Sequence, residues 1–322
     1  MNFQQQIKDQ TRKQLLPALA WNSTVNHARI WDMFRQRDVC FSALPHYVPG
    51  TPAIILGSGP SLDSVIPHLA GFQGVVFASA SQLNICRHWG VKPEFVVVID
   101  SRDSVSPQIQ GYMDIRAILL THPGVSPKVL DSWGNRVAFF NLSFEGEWSE
   151  MQAKVYPWIR SAIQPFGCVV TASIQLADLL GCSPIILAGV DFAIVEGRNR
   201  ATDYRGNGYE IDEELPPDLR PHELHAPEMQ FYHTMLLALW KTKKYHLFEV
   251  EPHPEALLRE LPQVKIENLG AVPRGYLDGK DIDEIVDRSL ERVNVYVRAP
   301  VDGYAQIEYR EPVAKQPRKK KS

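Results

Sequence analysis

Six stretches of this chain are apolar without interruption: Ala53-Ile54-Ile55-Leu56, Val75-Val76-Phe77, Phe95-Val96-Val97-Val98-Ile99, Ala117-Ile118-Leu119-Leu120, Val137-Ala138-Phe139-Phe140 and Pro184-Ile185-Ile186-Leu187-Ala188. A strand with one wet face alternates polar and apolar residues, whereas a strand apolar at every position is covered on both faces. Strands of that kind belong to parallel sheets, because each parallel connection lays a crossover, usually a helix, against the sheet. Helix-compatible stretches do separate several of the runs. The sequence therefore predicts an α/β fold: a doubly wound, mostly parallel, Rossmann-like sheet with an N-terminal helical extension and a C-terminal helix.

The boundaries follow from changes of pattern. Residues 1–50 carry Leu15, Leu16, Leu19, Trp21, Ile30, Trp31 and Phe34 at helical spacing and read as a lead-in that packs on the main domain. Residues 51–251 hold the strands, with one helix starting near Ser61, another starting near Thr171 or Ser173 and stopping at Gly181, a third over 227–243, and a short strand over 246–250. Between Asp191 and Pro227 the chain is rich in Gly, Pro, Arg and His and too long for an ordinary connection, which predicts a mobile flap over a site. Residues 252–322 form an extension with one amphipathic helix (Ile282, Ile285, Val286, Leu290, Val293) and a basic tail, Lys315 to Lys321.

Composition narrows the partners. A net charge of -3 over 322 residues gives no global basic field for nucleic acid or anionic membrane, so any anion site is local and any nucleic-acid contact is confined to the tail. Cys40, Cys86, Cys168 and Cys182 lie far apart without a CxxC pair and read as core hydrophobes in a reducing compartment. No stretch approaches the ~20 apolar residues of a membrane span and the first residues lack a signal-peptide pattern, so the expectation is a cytoplasmic protein, with homo-oligomerisation left open.

The turn Gly57-Ser58-Gly59-Pro60-Ser61-Leu62 follows a predicted strand and precedes a predicted helix. Glycines there allow a sharp turn and close approach of a ligand, Ser61 can cap the helix, and free N–H groups at a helix start favour an anion. Neither a Walker A sequence nor GxGxxG is present. An unliganded strand-to-helix turn explains the same residues. Asp100 and Asp191 each end a strand at the carboxyl edge of the sheet, where open α/β sheets bind ligands; together they could share a Mg²⁺ with phosphate oxygens, or each could simply cap a turn. In the flap, Arg198, Arg200, Arg205, His222 and His225 could close on phosphate or move a proton. His233 reads as a satisfied core histidine. Thr171 and Ser173 could give a second set of ligand donors or cap their own helix.

Taken in order, Ile54-Ile55-Leu56-Gly57-Ser58-Gly59-Pro60-Ser61-Leu62-Asp63, Val91-Lys92-Pro93-Glu94-Phe95-Val96-Val97-Val98-Ile99-Asp100, and Thr171-Ala172-Ser173 through Leu187-Ala188-Gly189-Val190-Asp191-Phe192 resemble the MptE-like family over residues 50–250. That family is named for 6-hydroxymethyl-7,8-dihydropterin diphosphokinase and includes flagellin motility accessory factors. The resemblance implies that Gly57, Ser58, Gly59, Pro60 and Ser61 face nucleotide phosphates, with Asp100 and Asp191 at the substrate and metal end. Its namesake reaction moves a pyrophosphate from ATP with Mg²⁺, a flap arginine such as Arg200 stabilising charge. Bacterial sialyltransferases share a similar GxGPS turn, which implies the alternative of glycosyl transfer from a CMP-activated nonulosonic sugar, with His225 as base. A non-catalytic nucleotide-binding module is the third expectation. Where family members often show a Gly-Lys-Thr-His-Ala-like stretch this chain reads Glu196-Gly197-Arg198-Asn199-Arg200-Ala201, which leaves the acceptor open.

Overall fold

The computed structural model describes residues 3–35, 48–110, 112, 117–133, 136–143, 147–159, 161–164, 168–202, 221–243, 245–271, 295–297 and 307–309. Its strands are β1 (Ala53–Leu56), β2 (Val75–Ser79), β3 (Phe95–Val97), β4 (Ile118–Thr121), β5 (Val137–Phe139), β6 (Asn141–Leu142), β7 (Ala162–Ile163), β8 (Ile185–Ala188), β9 (Leu247–Val250), β10 (Gln263–Val264), β11 (Val295–Val297) and β12 (Ile307–Tyr309). Its α-helices are α1 (Phe3–Arg35), α2 (Leu62–Val65), α3 (Leu83–His88), α4 (Ser106–Ile109), α5 (Pro127–Ser132), α6 (Glu147–Val155), α7 (Val169–Leu179) and α8 (Pro221–Lys243).

Eight strands form one sheet in the order β10-β9-β8-β1-β2-β3-β4-β5, and every pairing in it is parallel. Each of the six apolar runs is one of these strands. Alternate residues of a strand leave on opposite faces, and both faces are covered. Ala53 and Ile55 join Ile174, Leu176 and Ala177 of α7 and Leu236 of α8, while Ile54 and Leu56 join Leu62 and Val65 of α2 and Ile85 of α3. Each fully buried Ile or Leu contributes about 1.5–3 kcal/mol, which is why the pattern survives in sequence. The edge strand β10 has no counterpart among the expectations, since Gln263 and Val264 are too few and too polar to show one.

The N-terminal helix is α1, and its Leu19 and Ile30 are buried in two of the core clusters. Asn22 and Asn26 fix it further by donating to the carbonyls of Ser101, Gly124, Pro123 and Val125. Cys86 and Cys182 are buried free thiols, and burial pushes Cys86 up to about 12, so both act as hydrophobes. Cys40 and the helix expected over 282–293 lie outside the described residues. Among the described residues no helix is long and apolar enough to cross a membrane.

Candidate functional site

From β1 the chain proceeds to β2 on one side, and from β8, the other neighbour of β1, it proceeds to β9 on the opposite side. A crevice opens at the carboxyl ends of two such strands, and this reversal is where open parallel sheets place ligands. The turn 57–61 leaves β1 there and the turn 189–192 leaves β8 beside it.

The two turns interlock. Gly57 N donates to Ala188 O at 2.7 Å and Gly59 N to Gly189 O at 2.8 Å. A Cβ on Gly57 would lie 2.2 Å from Gly189 O, and one on Gly59 would lie 2.3 Å from Asp191 Oδ2. The space that the sequence reading reserved for a ligand at Gly57 and Gly59 is filled by the chain's own second turn.

Asp191 is 1% exposed. Its Oδ2 accepts from Ser61 N at 2.9 Å and its Oδ1 from Ser61 Oγ at 2.5 Å, so its carboxylate occupies the start of α2 as a bound anion would. Burial pushes the Asp191 carboxyl above the ordinary range, against the pull of the two Ser61 donors and His253, with Asp63 adding a further push upward. The expectation that the amides of Gly57, Gly59 and Ser61 face phosphates is thereby corrected: all three are engaged within the chain, and Pro60 has no N–H. Among the described residues the Ser58 amide is the turn donor left over.

The first part of the expected flap is a strap bound to the turn. Val195 and Arg198 exchange both backbone hydrogen bonds at 2.9 Å across a two-residue turn in which Glu196 (φ 50°) and Gly197 (φ 74°) are left-handed. Arg198 Nη1 then donates to Asp63 Oδ2 at 2.6 Å, Thr202 N to Asp63 Oδ1 at 2.9 Å, and Ala201 N to Ser58 O at 2.9 Å. This places exposed Arg200 next to the residue that anchors the strap to Ser58. Residues 203–220, including Arg205, lie outside the described residues. His222 and His225 belong to the backbone of α8, which begins at Pro221, not to a flap.

Asp100 follows β3, and its carboxylate is held by Arg102, whose Nε reaches both oxygens at 3.0 Å and whose Nη2 reaches Oδ2 at 2.6 Å. Three strand spacings, about 14 Å, separate the ends of β3 and β8, whereas Mg²⁺ binds its oxygens at about 2.1 Å. With Asp191 given to Ser61 and Asp100 to Arg102, the pair does not fit a shared Mg²⁺ site. Among the described residues no group of three or more His, Cys, Asp or Glu side chains is arranged to hold a metal. Thr171 and Ser173 are buried, with hydroxyls donating to Cys168 O (2.8 Å) and Val169 O (2.9 Å). They serve their own helix, not a ligand.

Glu249, His122 and the Glu260 partner of His233 escaped the sequence reading, which took His233 as a satisfied core histidine. Glu249 in β9 is 2% exposed, its Oε2 has no partner among the described residues, and burial, then Asp191 and Glu260, pushes its carboxyl up to about 9. A charge inside an otherwise apolar strand was the available signal. His233 Nε2 lies 3.1 Å from Glu260 Oε2. His122, which follows β4, is fully buried and pushed down to about 4 by burial. Its Nδ1 accepts from Gly124 N at 3.1 Å, so its Nε2–H donates to Ile99 O at 3.0 Å and braces the end of β3 just before Asp100.

Comparison with solved structures finds similarity to the MAf glycosyltransferase from Magnetospirillum magneticum AMB-1, with a TM-score of 0.52 and 18% sequence identity. The match covers 77% of this chain and 38% of that one, so this chain spans well under half of that protein, and the likeness is one of fold. A comparison with curated proteins gives no match. The general class of transferase rests on the description of the matching family, while the neighbour contributes the fold alone. Residues 33–197 match the family described as 6-hydroxymethylpterin diphosphokinase MptE-like, and the chain belongs to that MptE-like family.

Proposed function

We propose that this chain is a nucleotide-dependent transferase whose donor lies over the crevice between β1 and β8. The observation that carries the reading is the reversal of strand order there, with the Ser58 amide left over on one side and Arg200 exposed on the adjoining strap. In this reading the Ser58 N–H and the Arg200 guanidinium meet the phosphate of the donor and stabilise the negative charge that grows on it as the transferred group departs.

Glycosyl transfer from a CMP-activated nonulosonic sugar fits these residues better than the alternative. A nucleoside monophosphate leaving group needs one phosphate to be stabilised, which an amide and an arginine supply. Pyrophosphoryl transfer from ATP calls for carboxylates free to anchor Mg²⁺, and Asp100 and Asp191 are engaged by Arg102 and Ser61. The ATP reaction remains the second reading, supported by the family's description.

Calorimetry of CMP and of ATP, with and without Mg²⁺, tests the proposal. The expected result is metal-independent CMP binding that weakens about tenfold in Arg200→Met, the loss of one charge-assisted contact worth about 1.4 kcal/mol. Mg²⁺-dependent ATP binding without CMP binding selects the second reading. Binding of neither overturns both, and binding without turnover identifies a non-catalytic module.

A further inference from the structure

Helix α8 crosses above the same edge of the sheet. Tyr232 lies within electrostatic reach of Arg102, the partner of Asp100, while the Phe192 ring, next in sequence to Asp191, is 6.5 Å from the rings of both Tyr232 and His233. The turn of α8 that carries Tyr232 and His233 therefore lies near Phe192 and within electrostatic reach of Arg102. Phe192 is itself held at φ 48°, a left-handed conformation that a non-glycine residue adopts only under constraint from its surroundings.

His233 is well enclosed, with 17% of its side chain exposed, and its Nε2 meets the Glu260 carboxylate. Burial opposes ionisation of Glu260, but the Arg259 amide and His233 outweigh it and hold the carboxyl below the ordinary range. An ionised carboxylate can only accept, so a neutral His233 carries its proton on Nε2 and presents the lone pair of Nδ1. Among the described residues Nδ1 has no partner. The charged and titratable groups around it are Glu260, which is itself coupled to Glu249, and Tyr232, its neighbour on α8. A base with one nitrogen fixed by a carboxylate and the other unspent is the recurring arrangement for activating a hydroxyl, and the Phe192 contact sets this one near the turn that leaves β8.

We propose that His233, oriented by Glu260, is the base that takes the proton from the acceptor hydroxyl. The inference rests on the transferase reading above. In the step, the acceptor O–H proton passes to His233 Nδ1 and the oxygen forms a bond to the anomeric carbon of the donor. The bond from that carbon to the phosphate oxygen breaks, and its electron pair leaves with CMP. His225, the base expected from sequence, lies eight residues earlier in α8, about 12 Å along the axis.

The full-length chain is incubated with CMP-N-acetylneuraminate or with ATP, water serving as acceptor, and released CMP or AMP is quantified. His233→Asn and His233→Gln are expected to lower release about 10²–10⁴-fold while CMP and ATP affinities stay within about twofold. Glu260→Gln, a change in a positioning residue, is expected to lower kcat at unchanged KM. Long-range ¹H–¹⁵N spectra should show the Nε2–H tautomer of His233 in the wild type and a mixture of tautomers in Glu260→Gln, a readout that does not depend on turnover. Undiminished release by the His233 variants, or a wild-type His233 protonated on Nδ1, overturns the assignment and leaves the transferase reading standing. A wild type that binds nucleotide but releases neither product overturns the reaction and the base together.

Discussion

Glu249 offers a measurable consequence of burying an acid whose Oε2 has no partner among the described residues. Its carboxyl is raised from an ordinary 4.5 to about 9, so between those values the folded chain holds a proton that the unfolded chain has released. Stability from this group is therefore present in full below pH 4.5 and falls as pH rises through the window, levelling above pH 9. Each pH unit inside the window is worth about 1.36 kcal/mol, which makes the loss between pH 5 and pH 8 about 4 kcal/mol at most. Solvent reaching the ionised carboxylate through local opening brings the expectation to about 2–4 kcal/mol.

Glu249→Gln keeps the shape and removes the titration. Urea unfolding followed by circular dichroism at pH 5, 6.5 and 8 gives the free-energy difference between the two proteins at each pH, and subtraction cancels every other group that titrates alike in both. The variant should gain about 2–4 kcal/mol on the wild type from pH 5 to pH 8, whatever the offset at pH 5 that the new amide introduces. A difference constant to within about 0.5 kcal/mol across the series would refute the premise that Glu249 is protonated in the fold.

Other substitutions probe the interlocked turns and the brace. Gly59→Ala places a methyl 2.3 Å from Asp191 Oδ2 and should cost about 1–3 kcal/mol in urea unfolding while abolishing CMP binding. Ser61→Ala leaves Asp191 Oδ1 without its hydroxyl partner, with an expected loss of about 1–3 kcal/mol by the same method. Asp63→Ala releases Arg198 and Thr202 together, and trypsin cleavage at Arg198 or Arg200 should accelerate about tenfold, as a loss of about 1.4 kcal/mol in strap closure requires. His122, depressed from 6.5 to about 4, makes the opposite contribution to Glu249: its stability is present above pH 6.5 and is lost as pH falls toward 4, by about 3 kcal/mol, an acid sensitivity that unfolding curves of His122→Asn should lack.

Much of the fold was legible because burial on two faces writes itself into consecutive residues. Ile54 and Ile55 point to opposite clusters, yet both must be apolar, and so each main strand announced itself. The start of α8 was misread for a local reason: Pro227 looks like a boundary, but the helix begins six residues earlier at Pro221 and contains it. The candidate site was half legible. Gly57, Gly59 and Asp191 were singled out, but their mutual contact depends on β8 lying beside β1, a consequence of a crossover that no local pattern encodes. Glu249 illustrates the same limit. Its position within an apolar strand is visible in sequence, whereas its coupling to Asp191 and Glu260 comes only from the order of β8, β9 and β10.

The acids near this edge of the sheet bear on the choice between an anion and a metal in the proposed reading. Asp63 is paired with Arg198 and Asp100 with Arg102, while Glu260 is hydrogen-bonded by His233, Asp191 is hydrogen-bonded by Ser61 at the start of a helix and Glu249 keeps its proton. Two of these five carboxyl groups are offset by arginines and Glu249 is uncharged, which lowers the negative field that a phosphate approaching the Ser58 amide and Arg200 would meet in the proposed reading. A divalent cation binding any of these five carboxyl groups would have to displace an arginine, a histidine, a serine or the group's own proton. Acidity in the sequence at positions 63, 100, 191, 249 and 260 suggests cation binding only while the partners are out of sight. Once the fold supplies them, the same residues become a scaffold that orients an arginine, a strap and a histidine around the crevice where the proposed function places its donor.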